Sequence, residues 1–312
     1  MRERLEYVAA WATLKFFGLL PRPLARWIAA RFGALLFRIR PAWRRTALFN
    51  LKLAFPESTE GERKRVVASM VRNLGWLLAE FAHLPAYTRQ HFEQVVVREG
   101  FENLEAARGQ GRGVLVLAAH LGAWELQPFL HGLYWERAYF LVRPIRNARV
   151  NALVNAYRCV SGCQFIDKNR SARAILKVLR QGGTVGILVD QNTTPDEAVF
   201  VDFFGVPAAT TAGLARLARS SGAPVVPMYL FWDAGLRKYR GGYGPALNLK
   251  HTDDKGGDIH ANTRLFNQIL EDFIRRFPDQ WFWVHRRWRN RPPGEGPIYP
   301  DERGAQGPPP RK

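Results

Sequence analysis

The chain has 312 residues, 47% of them hydrophobic, enough for one large α/β domain or two small ones with a substantial core. Its two cysteines, Cys159 and Cys163, are too few for a disulfide framework, and a C-x3-C pair without further ligands is no zinc signature, so a reducing, cytoplasmic setting is expected. The formal net charge of +19 calls for an anionic partner, either nucleic acid, an anionic membrane, or an acidic protein or substrate.

The distribution of charge chooses among these. Residues 1–53 hold nine Arg and two Lys against two Glu, about half of the excess, in a stretch also rich in Leu, Ala, Phe and Trp. Basic and apolar together point to a membrane surface before nucleic acid. Residues 5–20 and 24–37 read as two helices broken at Pro21-Arg22-Pro23. A spanning helix needs about 20 apolar residues, and Lys15, Arg26 and Arg31 interrupt both pieces. The expectation is an N-terminal membrane anchor over residues 1–40, lying in the bilayer or partly entering it. The plain alternative is an amphipathic helical pair on a soluble core. No small-residue cleavage site suggests a signal peptide.

Residues 41–53 continue as a basic helix. A longer helix is predicted from Ser58, a capping residue, to His83, with Glu60 and Glu62 at its positive end. Gly113–Ala119 is a continuous apolar run that reads as a buried parallel strand. Further strands are predicted at Tyr139–Val142, Thr184–Val189 and Pro224–Phe231, separated by helical patterns near 147–161, 171–181 and 211–221. This alternation predicts an α/β domain over residues 41–290, with a largely parallel central sheet flanked by helices. A last helix is placed at 262–277. Residues 291–312, rich in Arg, Pro and Gly, read as a disordered tail.

His120-Leu-Gly-Ala-Trp-Glu125 follows directly on the first apolar strand, where open α/β sheets gather their catalytic groups. Five residues at 3.6 per turn place two side chains about 140° apart on a helix. His120 and Glu125 therefore meet only if His120 sits in the turn and Glu125 on the first turn of a helix starting near Gly122. In that arrangement the carboxylate accepts a hydrogen bond from one imidazole N–H, and the other nitrogen is left to deprotonate a hydroxyl. A satisfied core or turn histidine is the competing reading of so short a pattern. Arg143-Pro144 follows the second strand and Asp190-Gln191 the third. Arginines at such an edge would form a phosphate-binding rim. A fourth block runs Trp281-Phe-Trp-Val-His-Arg286-Arg287-Trp288. No HExxH, CxxC, Walker loop or G-x-S-x-G elbow occurs, so neither a metal nor a cofactor is expected.

Taken as an ordered set, these blocks resemble the bacterial lipid A biosynthesis acyltransferases, the lauroyl and myristoyl transferases of lipopolysaccharide synthesis. The resemblance also rests on Asn73-Leu-Gly-Trp76, Glu80 and the run 203–218, and it extends to about residue 293. The H-x4-E pair alone is shared with the wider glycerolipid acyltransferases. The resemblance implies a glycerolipid-acyltransferase-like fold and a bacterial inner-membrane enzyme facing the cytoplasm. It further implies acyl carrier protein, or acyl-CoA, as donor, and a phosphorylated glycolipid, a lipid A precursor, as acceptor. His120 and Glu125 would be the catalytic pair, with no covalent acyl-enzyme. Arg143, Asp190, Gln191, Arg286 and Arg287 would bind substrate, the arginines at phosphates. The same chemistry on another membrane glycolipid or a lysophospholipid is the nearest alternative. A basic nucleic-acid-binding protein is the alternative of a different class, but no recognisable nucleic-acid module is present, and none is expected to bind.

Overall fold

The structure, a computed structural model, describes residues 1–136, 138–167 and 171–300. Its N-terminal third is helical. α1 (Arg2–Leu19) and α2 (Arg22–Ile39) break at Pro21, as predicted, and α3 (Pro41–Ala54) follows. α4 (Glu60–His83) is started by Thr59, one residue beyond the expected Ser58. The reason is a capping box: Thr59 and Glu62 satisfy each other's free backbone N–H groups, and Ser58 instead bonds back to the Phe55 carbonyl.

The remainder alternates. After α5 (Arg89–Val95), β1 (Val96–Glu99) and α6 (Phe101–Arg108) come β2 (Val114–Ala118), α7 (Gln127–Gly132), β3 (Ala138–Val142) and α8 (Ala148–Arg158). Then follow β4 (Gln164–Asp167), α9 (Ser171–Arg180), β5 (Thr184–Leu188), and a hairpin of β6 (Ala198–Phe203) and β7 (Val206–Thr211). The chain continues through α10 (Gly213–Ser221), β8 (Val225–Asp233), β9 (Lys238–Tyr243) and α11 (Lys255–Arg276). The main sheet has the order β1-β9-β8-β2-β5-β3-β4. Strands β8, β2, β5, β3 and β4 are parallel, as the α/β pattern requires, whereas β9 runs antiparallel to β8 and carries β1 with it.

Strand β2 shows why its sequence is apolar throughout. Leu115 and Leu117 enter a core shared with α3, α9, α10 and α11, and Val114 and Val116 enter a second core under α1, α2, α6 and α7. Successive side chains point to opposite faces, and both faces are covered.

The N-terminal helices are part of this packing. Leu14 and Phe17 of α1 and Ala25 and Ala29 of α2 are buried against α4. Gly75 makes the close α2–α4 approach possible: a Cβ there would sit 2.6 Å from the backbone of Ala29. Arg26, expected as an interruption, is buried, with its guanidinium 3.8 Å from the Trp76 ring centroid and 4.1 Å from that of Trp232. It shares the fully buried carboxylate of Glu80 with Arg22, and Tyr87 donates to the same group. No helix among the described residues is long and apolar enough to cross a membrane; residues 1–40, expected to form an anchor lying in or partly entering the bilayer, form two helices packed on the domain.

The expected disordered tail is also shortened. Tyr299 is buried and its hydroxyl donates to Asn50 Oδ1 at 2.8 Å, so the chain stays docked at least that far. Residues 301–312 of that predicted tail lie outside the described residues.

Replacing Glu80 by alanine leaves two arginines facing a buried site without their carboxylate. Loss of about 3–5 kcal/mol is expected, as for other broken buried pairs. Denaturant unfolding of the variant checks this, and a change below about 1 kcal/mol would show that the cluster does not fasten α2 to α4.

Candidate active site

Parallel register assembles the site. Ala118 of β2 pairs with Leu188 of β5, so His120 and Asp190, each two residues further on, leave the sheet side by side. Phe140 of β3 pairs with Gly186 of β5, which brings Arg143 to the same edge. Three of the sequence blocks therefore converge at the carboxyl ends of adjacent strands, where the α/β architecture concentrates function.

Asp190 is the partner of His120. Its Oδ1 lies 2.9 Å from His120 Nδ1, and its Oδ2 accepts the His120 backbone N–H at 2.9 Å and the Trp281 indole N–H at 2.8 Å. The carboxylate can only accept, so the proton is on His120 Nδ1 and the Nε2 lone pair faces the cavity. The side-chain amide of Gln191 sits 3.3 Å from Nε2. Burial disfavours charge on His120, but the field and hydrogen bond of Asp190 outweigh it, with a further contribution from Glu125, and raise its pKa. Burial likewise opposes ionisation of Asp190, yet His120, Trp281 and the backbone donor hold its pKa down, to about 2.

Glu125 does not take the orienting position expected of it. The turn after His120 is tight: Gly122 has φ of 60°, and a Cβ there would meet the Leu230 carbonyl at 2.0 Å. The chain then forms a single 3-10 turn over Trp124–Leu126 before α7, instead of the helix expected from Gly122. This carries Glu125 to Arg158 at the end of α8, which grips it with two donors at 2.7 and 2.5 Å. Both residues still line the cavity that contains His120.

The arginines divide. Arg143 is exposed and borders two cavities, and Arg286 borders one of them. Arg287 does not belong to any phosphate rim. It is fully buried, donates to the Ala209 carbonyl and the Thr210 hydroxyl at 2.7 and 2.5 Å, and packs over Phe203, so it braces β7 from inside. Burial pushes its pKa down to about 10, against the opposing field of Asp190.

One cavity, of about 750 Å³, starts at His120 and is walled by apolar side chains that include Phe140, Leu176, Leu188, Leu214 and Leu217. The other, of about 940 Å³, lies between α2, α3 and α4 and is lined by Phe32, Leu36, Phe37 and Trp43, with Arg143, Arg286 and Arg289 at its polar side. Arg143, Asn192, Thr193 and His285 border both.

Sequence reasoning named Asp190 and Gln191 but assigned the histidine's partner by spacing along the chain. Their place directly after a strand neighbouring β2 was the usable signal. Arg158 gave none, being one arginine among many at a helix end. His285 was hidden inside an aromatic block.

Comparison with known proteins gives the family. The profile of the bacterial lipid A biosynthesis acyltransferases matches residues 2–290. The chain is 31% identical over 284 residues, 90% of each chain, to the lipid A biosynthesis palmitoleoyltransferase of Escherichia coli. It is 28% identical over 293 residues to the myristoyltransferase of the same organism, covering 93% of this chain and 89% of the relative. It is also 28% identical over 277 residues to the lauroyltransferase, covering 88% of each. With a strand-end histidine–carboxylate pair opening on an apolar cavity, and a family match over nearly its whole length, this acyltransferase belongs to the bacterial lipid A biosynthesis acyltransferase family.

Proposed function

We propose that the protein transfers a fatty acyl chain from the thioester of acyl carrier protein to a hydroxyl of a lipid A precursor, at the cytoplasmic face of the inner membrane. The observation that carries this reading is the His120–Asp190 pair at the mouth of an apolar cavity. Asp190 holds the imidazole in one tautomer and stabilises its protonated form. His120 Nε2 takes the proton of the acceptor hydroxyl as its oxygen attacks the thioester carbonyl carbon. The tetrahedral adduct collapses, the C–S bond breaks, and the leaving thiolate recovers the proton from His120. A thioester is already activated, so no covalent acyl-enzyme is required. Glu125, fixed by Arg158, lies on the wall of the same cavity and reinforces the charge of the protonated imidazole. The 750 Å³ cavity houses the acyl chain, whereas the 940 Å³ cavity takes the chains of the acceptor, with its phosphate against Arg143 and Arg286.

The membrane contact is an in-plane one. Of fifteen exposed large hydrophobic side chains among the described residues, twelve lie within residues 1–43, interspersed with exposed Arg31, Arg38, Arg40, Arg44 and Arg45. Aromatic and aliphatic side chains beside arginines suit the interface of an anionic bilayer. The larger cavity is lined by Phe32, Phe37 and Trp43 of these same helices, so a lipid acceptor reaches it from the bilayer surface.

Incubation of the purified protein with acyl carrier protein thioesters and a lipid A precursor, followed by mass spectrometry, tests the reaction. A gain of one acyl chain is expected, and absence of transfer from every donor would reject the reading. His120→Ala should lose about 10²–10⁴ in kcat while remaining folded. Because His120 must be neutral to act and its pKa is raised, the acid limb of the pH–rate profile should lie above the ordinary histidine value of about 6.5. Asp190→Asn should lower kcat by about 10² or more and move that limb to lower pH. An unmoved limb in this variant would show that Asp190 does not face the base. Arg143→Ala and Arg286→Ala should each raise KM for the phosphorylated acceptor about tenfold, as for a lost charge-assisted bond, and unchanged kinetics in both would remove the phosphate rim. Deleting the N-terminus would damage the core, so the membrane contact is better tested by Trp11→Ser, Trp27→Ser and Phe32→Ser combined. Cosedimentation with anionic vesicles should weaken more than tenfold, given roughly 1.5–3 kcal/mol per buried large apolar side chain, and unchanged binding would place the contact elsewhere.

A further inference from the structure

The segment from Trp281 to Trp288 brings a second imidazole to the site. His285 borders both cavities. One hydrogen bond sets its ring: the backbone N–H of Asn192 donates to Nε2 at 2.9 Å. A ring nitrogen that accepts carries no proton, so the proton of the neutral ring resides on Nδ1. Nδ1 has no hydrogen-bond partner among the described residues, and the residue lines both cavities. Burial holds this ring neutral, pushing its pKa down to about 4 even with Asp190 nearby.

Three consecutive residues therefore orient two imidazoles. Asp190 binds His120 Nδ1, Gln191 approaches His120 Nε2, and the Asn192 backbone binds His285 Nε2. The His285 segment is tied to the same strand end, since the Phe282 N–H donates to the His120 carbonyl at 3.1 Å. It is held from the other side by Asn50, which donates to the Trp283 and His285 carbonyls at 2.7 Å each. The two environments drive the rings apart, one toward a base and the other toward a neutral donor, which is how acid–base roles are divided in a site.

We propose that His285 is a catalytic residue whose Nδ1–H hydrogen-bonds to the thioester carbonyl oxygen as that oxygen becomes an oxyanion. This rests on the reading of His120 as the base of an acyl transfer. As the acceptor oxygen bonds to the carbonyl carbon, its proton passes to His120 and the carbonyl π pair moves onto the oxygen facing His285. On collapse the pair returns, the C–S bond breaks, and the thiolate takes the proton from His120. His285 starts and ends neutral. A fixed donor in a water-poor site stabilises charge where it develops and needs no reorganisation during the step.

The test uses the full-length protein with a lauroyl thioester of acyl carrier protein and a lipid A precursor. His285→Phe should lower kcat by about 10²–10³, as for other lost oxyanion donors, with little change in KM for the thioester. His285→Gln, whose amide can also donate, should recover part of the loss. Because His285 is neutral across the assay range, the acid limb set by His120 should stay where it is in both variants. The His120 titration followed by NMR should be unmoved too. His285→Ala makes the same test should the phenylalanine variant fail to fold. Wild-type kcat in a folded variant would overturn the assignment. So would a loss accompanied by a shifted His120 titration, since His285 would then only brace the Asn192 turn. If His120→Ala is inactive while His285→Phe is not, only the donor role falls. If both retain full activity, the base reading falls first.

Discussion

The carboxylate of Asp190 is the point on which the site depends. It is almost completely buried, a costly place for a negative charge, and it is tolerated because three N–H donors converge on it. Those donors come from the turn after β2 and from the indole of Trp281, so one ionised group joins three separate stretches of chain. Its charge raises the basicity of the neighbouring imidazole, and its two oxygens fix both the ring and the backbone of His120. Remove that charge, and the register of the sheet would still bring the strand ends together but nothing would set the tautomer of the histidine.

Around this point the protein keeps two apolar spaces apart. The sheet is covered on both faces, and the smaller cavity is cut between the strand ends and the helices α9 and α10, while the larger is bounded by helices that also carry the exposed apolar surface. Arg143, Asn192, Thr193 and His285 border both spaces, so the polar groups of the site lie between two apolar walls.

Much of this was legible in the sequence, and the exceptions have physical causes. Continuous apolar runs identified β2, β5 and β8 because strands buried on both faces need apolar residues at every position. β1, β4 and β9 were missed because they are short or half-exposed, and Lys238–Tyr243 carries two glycines and two charges. The β6–β7 hairpin was read only as a block of residues. Its turn at Phe204-Gly205 has two positive φ values, but phenylalanine is a poor advertisement for that conformation. His120 was located by its place after a strand. Its partner was misassigned because a carboxylate five residues away is visible in the sequence, whereas one seventy residues away is visible only through strand pairing.

The hydrogen bond from Tyr299 to Asn50 ties the last described segment to the cleft. Asn50 holds the carbonyls of Trp283 and His285 with its amide nitrogen, and its side-chain oxygen accepts from the Tyr299 hydroxyl. A chain without the Tyr299 hydroxyl would leave that buried oxygen unsatisfied directly behind the His285 segment, at a cost of about 1–3 kcal/mol, and would loosen the wall of the cleft from a point remote from the chemistry.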